Sequence, residues 1–521
     1  MCPRMDHWSA TGGAFAMNAT VPPTGRGTAE VSPMTLTQEI AIKEYGPPTI
    51  PGSVIDAKTI PLPLKIRLTA RVGELRREVS RTVHDLRYRA PRPRGVAKIL
   101  VLVPAHNEAD AIGHTLQALL RQTRPADRIV VLADNCTDDT AQIARGFRGV
   151  TVMVTVGNTD RKVGALIQGW RRWQAGYDFV AGVDADTMLA PDCLRYLEAD
   201  LVAQPNAGGV MARYSFDQRL GTTFAARMLI RLQRLEFASW TADILRKKRT
   251  YVLGGQASLF RADALRAVAL QSPTQAPWNP ASQVEDMLLT GDLRAMRYET
   301  PVSTRARAYA GPMITVRSLY SQRRKWDEGM IRLLTTNGIN RWTSSLWRQQ
   351  FSLLSNGLTR LGFLFMLTAA LMVHQFVWDW IWIFPPAVAV LLNLRQAVRV
   401  PHRTPADLVA AVTLVPVELY LMLRLVCATA SWVTVLAGVK GDGWARQARA
   451  EAGRGNGTAK FLGGVLVALL TGAGAVFAWL HATAGFQRAS LTSGWYILAA
   501  VTVVQVLGML WRIVRRQKAR P

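Results

Sequence analysis

Two stretches decide the fold: Ile99-Leu100-Val101-Leu102-Val103-Pro104-Ala105-His106-Asn107-Glu108 and, further on, Arg128-Ile129-Val130-Val131-Leu132-Ala133-Asp134-Asn135-Cys136-Thr137-Asp138. Residues 99–103 and 128–133 are short, uninterrupted and β-branched-rich, which predicts strands buried on both faces. Residues 109–122 and 138–147 carry helical spacing between and after them. The alternation continues through a strand at 150–156, a helix after Gly164 and a strand at 179–183. A βαβαβ series of this kind predicts an α/β domain with a Rossmann-like, mostly parallel sheet and helices on both faces.

In such sheets ligands lie beyond the carboxyl ends of the strands, so the polar residues that follow each strand are the ones to examine. The third strand runs directly into Asp184-Ala185-Asp186. Two carboxylates one residue apart at a strand end can share a hard cation and leave its other positions to phosphate oxygens, which suits Mg²⁺ or Mn²⁺ and not zinc. Thr137 and Asp138 suit helix capping better than ligand binding.

Outward from this core the chain changes character. Residues 1–60 are rich in Pro, Gly, Thr and Ala without a continuous apolar run, and read as a disordered tail, not a signal peptide. At 61–95, Leu68, Val72, Leu75, Val79, Val83 and Leu86 recur at helical spacing with Arg71, Arg76, Arg77, Arg81 and Arg87 between them. This predicts a basic amphipathic helix, lying on a membrane surface or packed on the following domain. The α/β domain is placed at 96–347. Four scattered cysteines without a CxxC pair suggest neither disulfides nor a zinc site.

Apolar blocks follow at 358–376, 377–394, 408–439, 461–482 and 494–514, most near the roughly 20 residues that span a bilayer. They predict a membrane domain at 348–521 of about four to six transmembrane or interfacial helices. The block 408–439 is interrupted by Pro416, Glu418 and Arg424, and a hairpin and a re-entrant segment both fit it. Arg395, Arg399 and Arg403, then Lys440 to Lys460, then Arg512 to Arg520 form Arg-rich links, which the positive-inside bias places in the cytosol with the α/β domain. A multi-pass inner-membrane protein with a cytosolic C-terminus is expected. The net charge of +27 is then explained by these links and by lipid headgroups, so no nucleic-acid partner is expected.

Five ordered motifs, Pro104 to Glu108, Ala133 to Asp138, Asp184 to Asp186, Glu285-Asp286 and Gln322-Arg323-Arg324-Lys325-Trp326, resemble those of family 2 glycosyltransferases. The chain is similar to the membrane synthases of that family, which make cellulose, hyaluronan, chitin and poly-N-acetylglucosamine. The resemblance implies a GT-A catalytic domain that moves a sugar from a nucleotide-sugar donor, expected to be a UDP-sugar, to a glycan or lipid-linked acceptor. It implies that Ala105, Glu108, Asp134, Lys162, Asp184 and Lys325 meet the donor and that Asp186 ligates Mg²⁺ or Mn²⁺. Asp286 would be the catalytic base; Gly254, Gly255, Gln322 and Trp326 would meet the acceptor. One base and a metal-held leaving group imply inversion.

Two positions depart from the family pattern. Val284 stands where Thr is common, and Lys325 where the Gln-x-x-Arg-Trp motif has arginine. Lysine keeps the charge but loses the bidentate fork, and Arg323 or Arg324 is a candidate to compensate. Trp326 favours polymer synthesis; the lack of an apolar segment ahead of the catalytic domain speaks against it. A non-catalytic membrane scaffold or export subunit is the other class of function, disfavoured by the intact Asp134, Asp184, Asp186 and Asp286.

Overall fold

The computed structural model describes residues 97–216, 221–374, 378, 383–439, 441, 443–451 and 470–514. The tail at 1–60, the basic helix at 61–95 and the first half of the apolar block at 461–482 lie outside the described residues.

One eight-stranded sheet organises the first half: β1 (Ile99–Ala105), β2 (Arg128–Ala133), β3 (Val150–Val154), β4 (Phe179–Gly182), β5 (Met188–Leu189), β6 (Gly209–Phe216), β7 (Ser258–Arg261) and β8 (Val302–Ala310). Their order is β3-β2-β1-β4-β7-β6-β8-β5. The half read from the sequence, β3-β2-β1-β4, is parallel throughout. Beyond it the sheet is mixed: β7 runs antiparallel to both β4 and β6, while β6 and β8 are parallel. An apolar run reports burial on both faces but not strand direction, so this second half was not legible from periodicity.

β1 is buried along its whole length. Because successive side chains alternate, Ile99, Val101 and Val103 enter one core with the helices Ala109–Leu120 and Cys193–Ala203. Leu100 and Leu102 enter the other, with the helices Arg161–Trp173 and Ala262–Ala269. The sheet is thereby covered on both sides, as a fully apolar strand demands.

Among the described residues, three later helices are long and apolar enough to cross a membrane: Ser344–Met372, Leu414–Leu436 and Ala484–Gly508, the last within the longer helix Ala484–Val514. The shorter apolar helices Phe384–Ala397 and Leu470–Leu480 lie between them in sequence. The interrupted block 408–439 resolves into helices. A short helix, Pro405–Val412, breaks at Thr413, and one helix of 23 residues follows, with Pro416 in its first turn, where a missing N–H costs nothing.

Arg360, Glu418 and Arg424, charges inside two of these apolar helices, are paired. Arg360 and Glu418 join two candidate spans at 2.6 Å. Arg424 meets Glu236 at 3.1 Å and Asp327 at 3.2 Å, and the Tyr420 hydroxyl donates to Glu236 at 2.6 Å. Glu236 in turn holds Arg323 at 2.8 Å. One carboxylate therefore ties the helix Phe224–Lys247 to the helices Val316–Asn337 and Leu414–Leu436, which explains ionisable residues in segments that otherwise exclude them.

Candidate active site

The register of the parallel strands places their polar ends side by side. Ala105 pairs with Ala133 and Leu102 with Gly182, so β1 and β2 end level and β4 delivers Asp184 two residues beyond. The Asp134 amide donates to the Ala105 carbonyl at 2.8 Å. Its carboxylate, only 4% exposed, accepts from Asn158 Nδ2 at 2.6 Å, Thr155 Oγ1 at 2.7 Å and Asn135 Nδ2 at 3.0 Å. Three donors fix one oxygen and leave the other to a ligand. Asp138 does build turns: it accepts from the amides of Thr140 at 3.0 Å and Ala109 at 3.1 Å.

Lys162 begins the helix Arg161–Trp173 and reaches Asp184 Oδ1 at 2.5 Å and Glu285 Oε1 at 3.4 Å. Burial works against its ammonium, but Asp184 and Glu285 outweigh it and hold the group above the usual lysine value. Asp186 has a different environment. It accepts from the Thr187 hydroxyl at 3.2 Å and forms no ion pair among the described residues. Burial and the neighbouring charge of Asp184 push it up to about 6. Burial together with Asp186 and Glu451 pushes Glu108 up to about 8. This end of the site is thus short of positive charge. No group of three or more His, Cys, Asp or Glu forms a closed metal site among the described residues. The residues fit an open divalent-cation site, in which Asp186 would give carboxylate oxygens to a hard ion such as Mg²⁺ or Mn²⁺.

Asp286 lies in the first turn of the helix Glu285–Ala295, where its Oδ1 accepts from the Met287 amide at 2.7 Å. Burial, then the charge of Glu285, raises it to about 7. Gly254 and Gly255 are not in the main cavity lining. A Cβ on Gly255 would fall 2.5 Å from Lys162 Nζ and 2.9 Å from Asp184 Oδ1, so this glycine backs the lysine–carboxylate pair. A Cβ on Gly254 would meet Gln256 Oε1 at 2.3 Å. Of the turn expected to meet the acceptor, Gln256 is the residue that lines this cavity.

Gln322, Lys325 and Trp326 project from the helix Val316–Asn337 into the same cavity. Arg323 and Arg324 do not. Arg323, 1% exposed, faces Glu236 and stacks 4.5 Å from the Trp326 ring, and Arg324 is committed to Glu328 and to Thr434 Oγ1. Neither arginine lines this cavity; Lys325 does, and burial lowers it to about 8.

The fourth wall was not anticipated. The helix Gly443–Glu451, which follows the apolar helix Leu414–Leu436, brings Trp444, Gln447 and Glu451 to the cavity. Its approach is fixed by Gln283 Nε2 donating to the Gly441 carbonyl at 2.9 Å and by Arg446 meeting Glu328 at 2.9 Å. In sequence this helix lies within the basic link Lys440 to Lys460, and Trp444 is the one aromatic residue of that stretch before Lys460.

Together these walls enclose a space of about 920 Å³ that reaches Ala105, Glu108, Asp134, Lys162, Asp184, Asp186, Asp286, Gln322, Lys325 and Trp326. The volume is in the range of pockets that take whole cofactors or nucleotides. Residues 100–268 match the model described as glycosyl transferase family 2. This segment is a family 2 glycosyltransferase domain. The parallel half of its sheet ends in Asp134 and Asp184-Ala185-Asp186, in keeping with the GT-A domain that the resemblance implies.

Among curated proteins, this chain is similar to the poly-beta-1,6-N-acetyl-D-glucosamine synthase of Staphylococcus epidermidis, 26% identical over 244 residues, 45% of this chain and 55% of that one. The protein of the same name from Staphylococcus aureus strain MSSA476 is 24% identical over 237 residues, 44% of this chain and 54% of that one. The chain therefore spans about half the length of the curated relatives it matches. Of solved structures, it is similar to the mannosyltransferase PcManGT from Pyrobaculum calidifontis in complex with GDP-Man and Mn2+, at 16% identity and a TM-score of 0.35 over 85% of this chain and 97% of that one. It is also similar to S. aureus TarS 1-349 in complex with UDP, at 18% identity and a TM-score of 0.32 over 66% and 93%.

Proposed function

We propose that the protein is a membrane-attached, inverting glycosyltransferase that moves a sugar from a nucleotide-sugar, a UDP-sugar by preference, to a hydroxyl of a glycan or lipid-linked acceptor. One observation carries this reading: a single cavity presents Asp134, the Asp184–Asp186 pair, the buried carboxyl of Asp286 and the ring of Trp326 together. The curated relatives' names, poly-beta-1,6-N-acetyl-D-glucosamine synthase, support a growing glycan as the acceptor.

In this reading Asp134, with one oxygen held by three donors, takes the base or ribose. Asp186 would hold Mg²⁺ or Mn²⁺, which when bound neutralises the diphosphate as it leaves. Lys162 positions Asp184, and Lys325 faces the charge that develops on the departing oxygen. Asp286 accepts the proton of the attacking acceptor hydroxyl; a carboxyl raised to about 7 is matched to that task near neutral pH. Trp326 offers a flat apolar face to the acceptor ring. One base and a metal-held leaving group imply direct displacement with inversion at the anomeric carbon. The catalytic domain and the C-terminus are placed on the cytosolic side of the plasma membrane, where nucleotide-sugars are made, with the three apolar helices crossing it.

The test is nucleotide release by the reconstituted full chain with Mn²⁺ or Mg²⁺ across a panel of UDP- and GDP-sugars, followed by sizing of the product. Release by wild type and not by Asp286→Asn is expected. Equal silence of the two across the panel would favour a scaffold.

A further inference from the structure

A second cavity, of about 190 Å³, opens away from this site where β6 and β8 meet the helix Phe224–Lys247 and the link joining the helices Phe384–Ala397 and Pro405–Val412. Arg213, Arg234, Arg307 and Arg399 line it, and among the described residues no carboxylate does. Arg213 and Arg307 are register partners on neighbouring parallel strands, so the two cations are held side by side by the sheet itself. Arg399 comes from the link.

Such a gathering is costly without an anion. The Arg213 Nε is buried with no hydrogen-bond partner among the described residues, and one of its terminal nitrogens reaches only the Thr304 carbonyl at 3.3 Å. Burial, then the charges of Arg307 and Arg399, lowers Arg213 to about 10. Arg234 is the exception: Asp407 neutralises it at 3.1 Å, and it also donates to the Pro401 carbonyl, which pins the link against the helix. Three guanidiniums remain in excess. Opposite them Ala238, Ala242 and Leu245 give the cavity an apolar wall.

We propose that this cavity binds the phosphoryl group of a phosphate ester, held by Arg213, Arg307 and Arg399. Guanidinium forks match phosphate oxygens in pairs, and a carboxylate ligand would leave most of the excess charge uncompensated. The apolar wall suits an ester whose other end is uncharged. Two sources supply this chemistry, the headgroup of an anionic phospholipid and a soluble phosphate ester. The proposal does not rest on the transfer reaction.

Two probes distinguish the sources, each applied to the purified full chain and to Arg399→Glu and Arg307→Gln. Inorganic phosphate is titrated calorimetrically into the detergent-solubilised protein. Separately, the protein in phosphatidylcholine nanodiscs with and without phosphatidylglycerol is released for native mass spectrometry, and retained lipids are counted. At least one probe is expected to bind wild type about tenfold or more tightly than either variant, the loss of one charge-assisted contact. Retention of phosphatidylglycerol assigns the site to a lipid headgroup; phosphate binding without lipid retention assigns it to a soluble ester. Binding that is equal in wild type and variants, or absent with both probes, overturns the proposal. Arg399 is exposed, so its variant carries the test if Arg307→Gln fails to fold.

Discussion

The ammonium of Lys325 lies 3.1 Å from the ring centroid of Trp444. A lysine in the catalytic domain is thereby capped by a residue that follows the apolar helix Leu414–Leu436, and the membrane-proximal chain becomes a wall of the reaction cavity. A cation over an indole face in a desolvated setting is stabilised by roughly 2 kcal/mol. Trp444→Ala is therefore expected to lower kcat/KM about tenfold or more, while Trp444→Phe retains most of the activity. Initial rates of nucleotide release check this, and unchanged rates in Trp444→Ala would remove the helix from the site.

Asp286→Asn keeps the shape of the carboxyl and loses its basicity. A general base contributes on the order of 10²- to 10⁴-fold, and kcat should fall within that range. Donor affinity, read by quenching of tryptophan fluorescence, should stay within a few-fold of wild type.

The pH profile follows from two groups. Asp286, raised to about 7, acts only when deprotonated, so activity is lost as pH falls through that value. Lys325, lowered to about 8, acts only when protonated, so activity is lost again as pH rises through it. A narrow bell between the two is expected for kcat/KM. Lys325→Arg should remove the alkaline limb and leave the acid limb in place; an unchanged alkaline limb would assign it elsewhere.

Asp186→Asn should abolish metal-dependent donor binding, measured as the chelator-sensitive part of UDP-sugar affinity. The fold should not suffer. The native carboxyl is raised to about 6, above its unfolded value, so its ionisation opposes folding at higher pH. A neutral amide is expected to hold or raise the melting temperature at pH 8 relative to wild type.

Topology is tested at Gly485, at the start of the helix Ala484–Val514. A single cysteine there should be labelled by an impermeant reagent from outside the cell. Labelling only after permeabilisation would reverse the assignment of sides.

The strand-end acids were legible because each follows its strand directly: once residues 99–103, 128–133 and 179–183 are read as parallel strands, Asp134, Asp184 and Asp186 must share one edge. Asp286 and the Gln322–Trp326 motif were found by resemblance, and the structure brings them to the same cavity. What escaped was decided by tertiary packing. Arg323 and Arg324 look equivalent to Lys325 in sequence, yet helical rotation turns one toward Glu236 and the other toward Glu328 and Thr434. Trp444 and Glu451 lie more than a hundred residues beyond the motif they face, in a short polar helix that local pattern cannot distinguish from a loop.

Glu236 has a practical corollary for anyone wishing to study the sugar chemistry without lipids. A fragment ending before residue 405 would keep Glu236, Arg323 and Asp327 but discard Arg424 and Tyr420, leaving the buried Asp327 without its counter-charge. An unmatched interior charge of this kind destabilises by roughly 3–5 kcal/mol, a large share of what holds an ordinary domain together. Truncation at the apparent domain boundary is thus expected to yield aggregate, and solubilising the intact chain is the sounder route to the isolated enzyme.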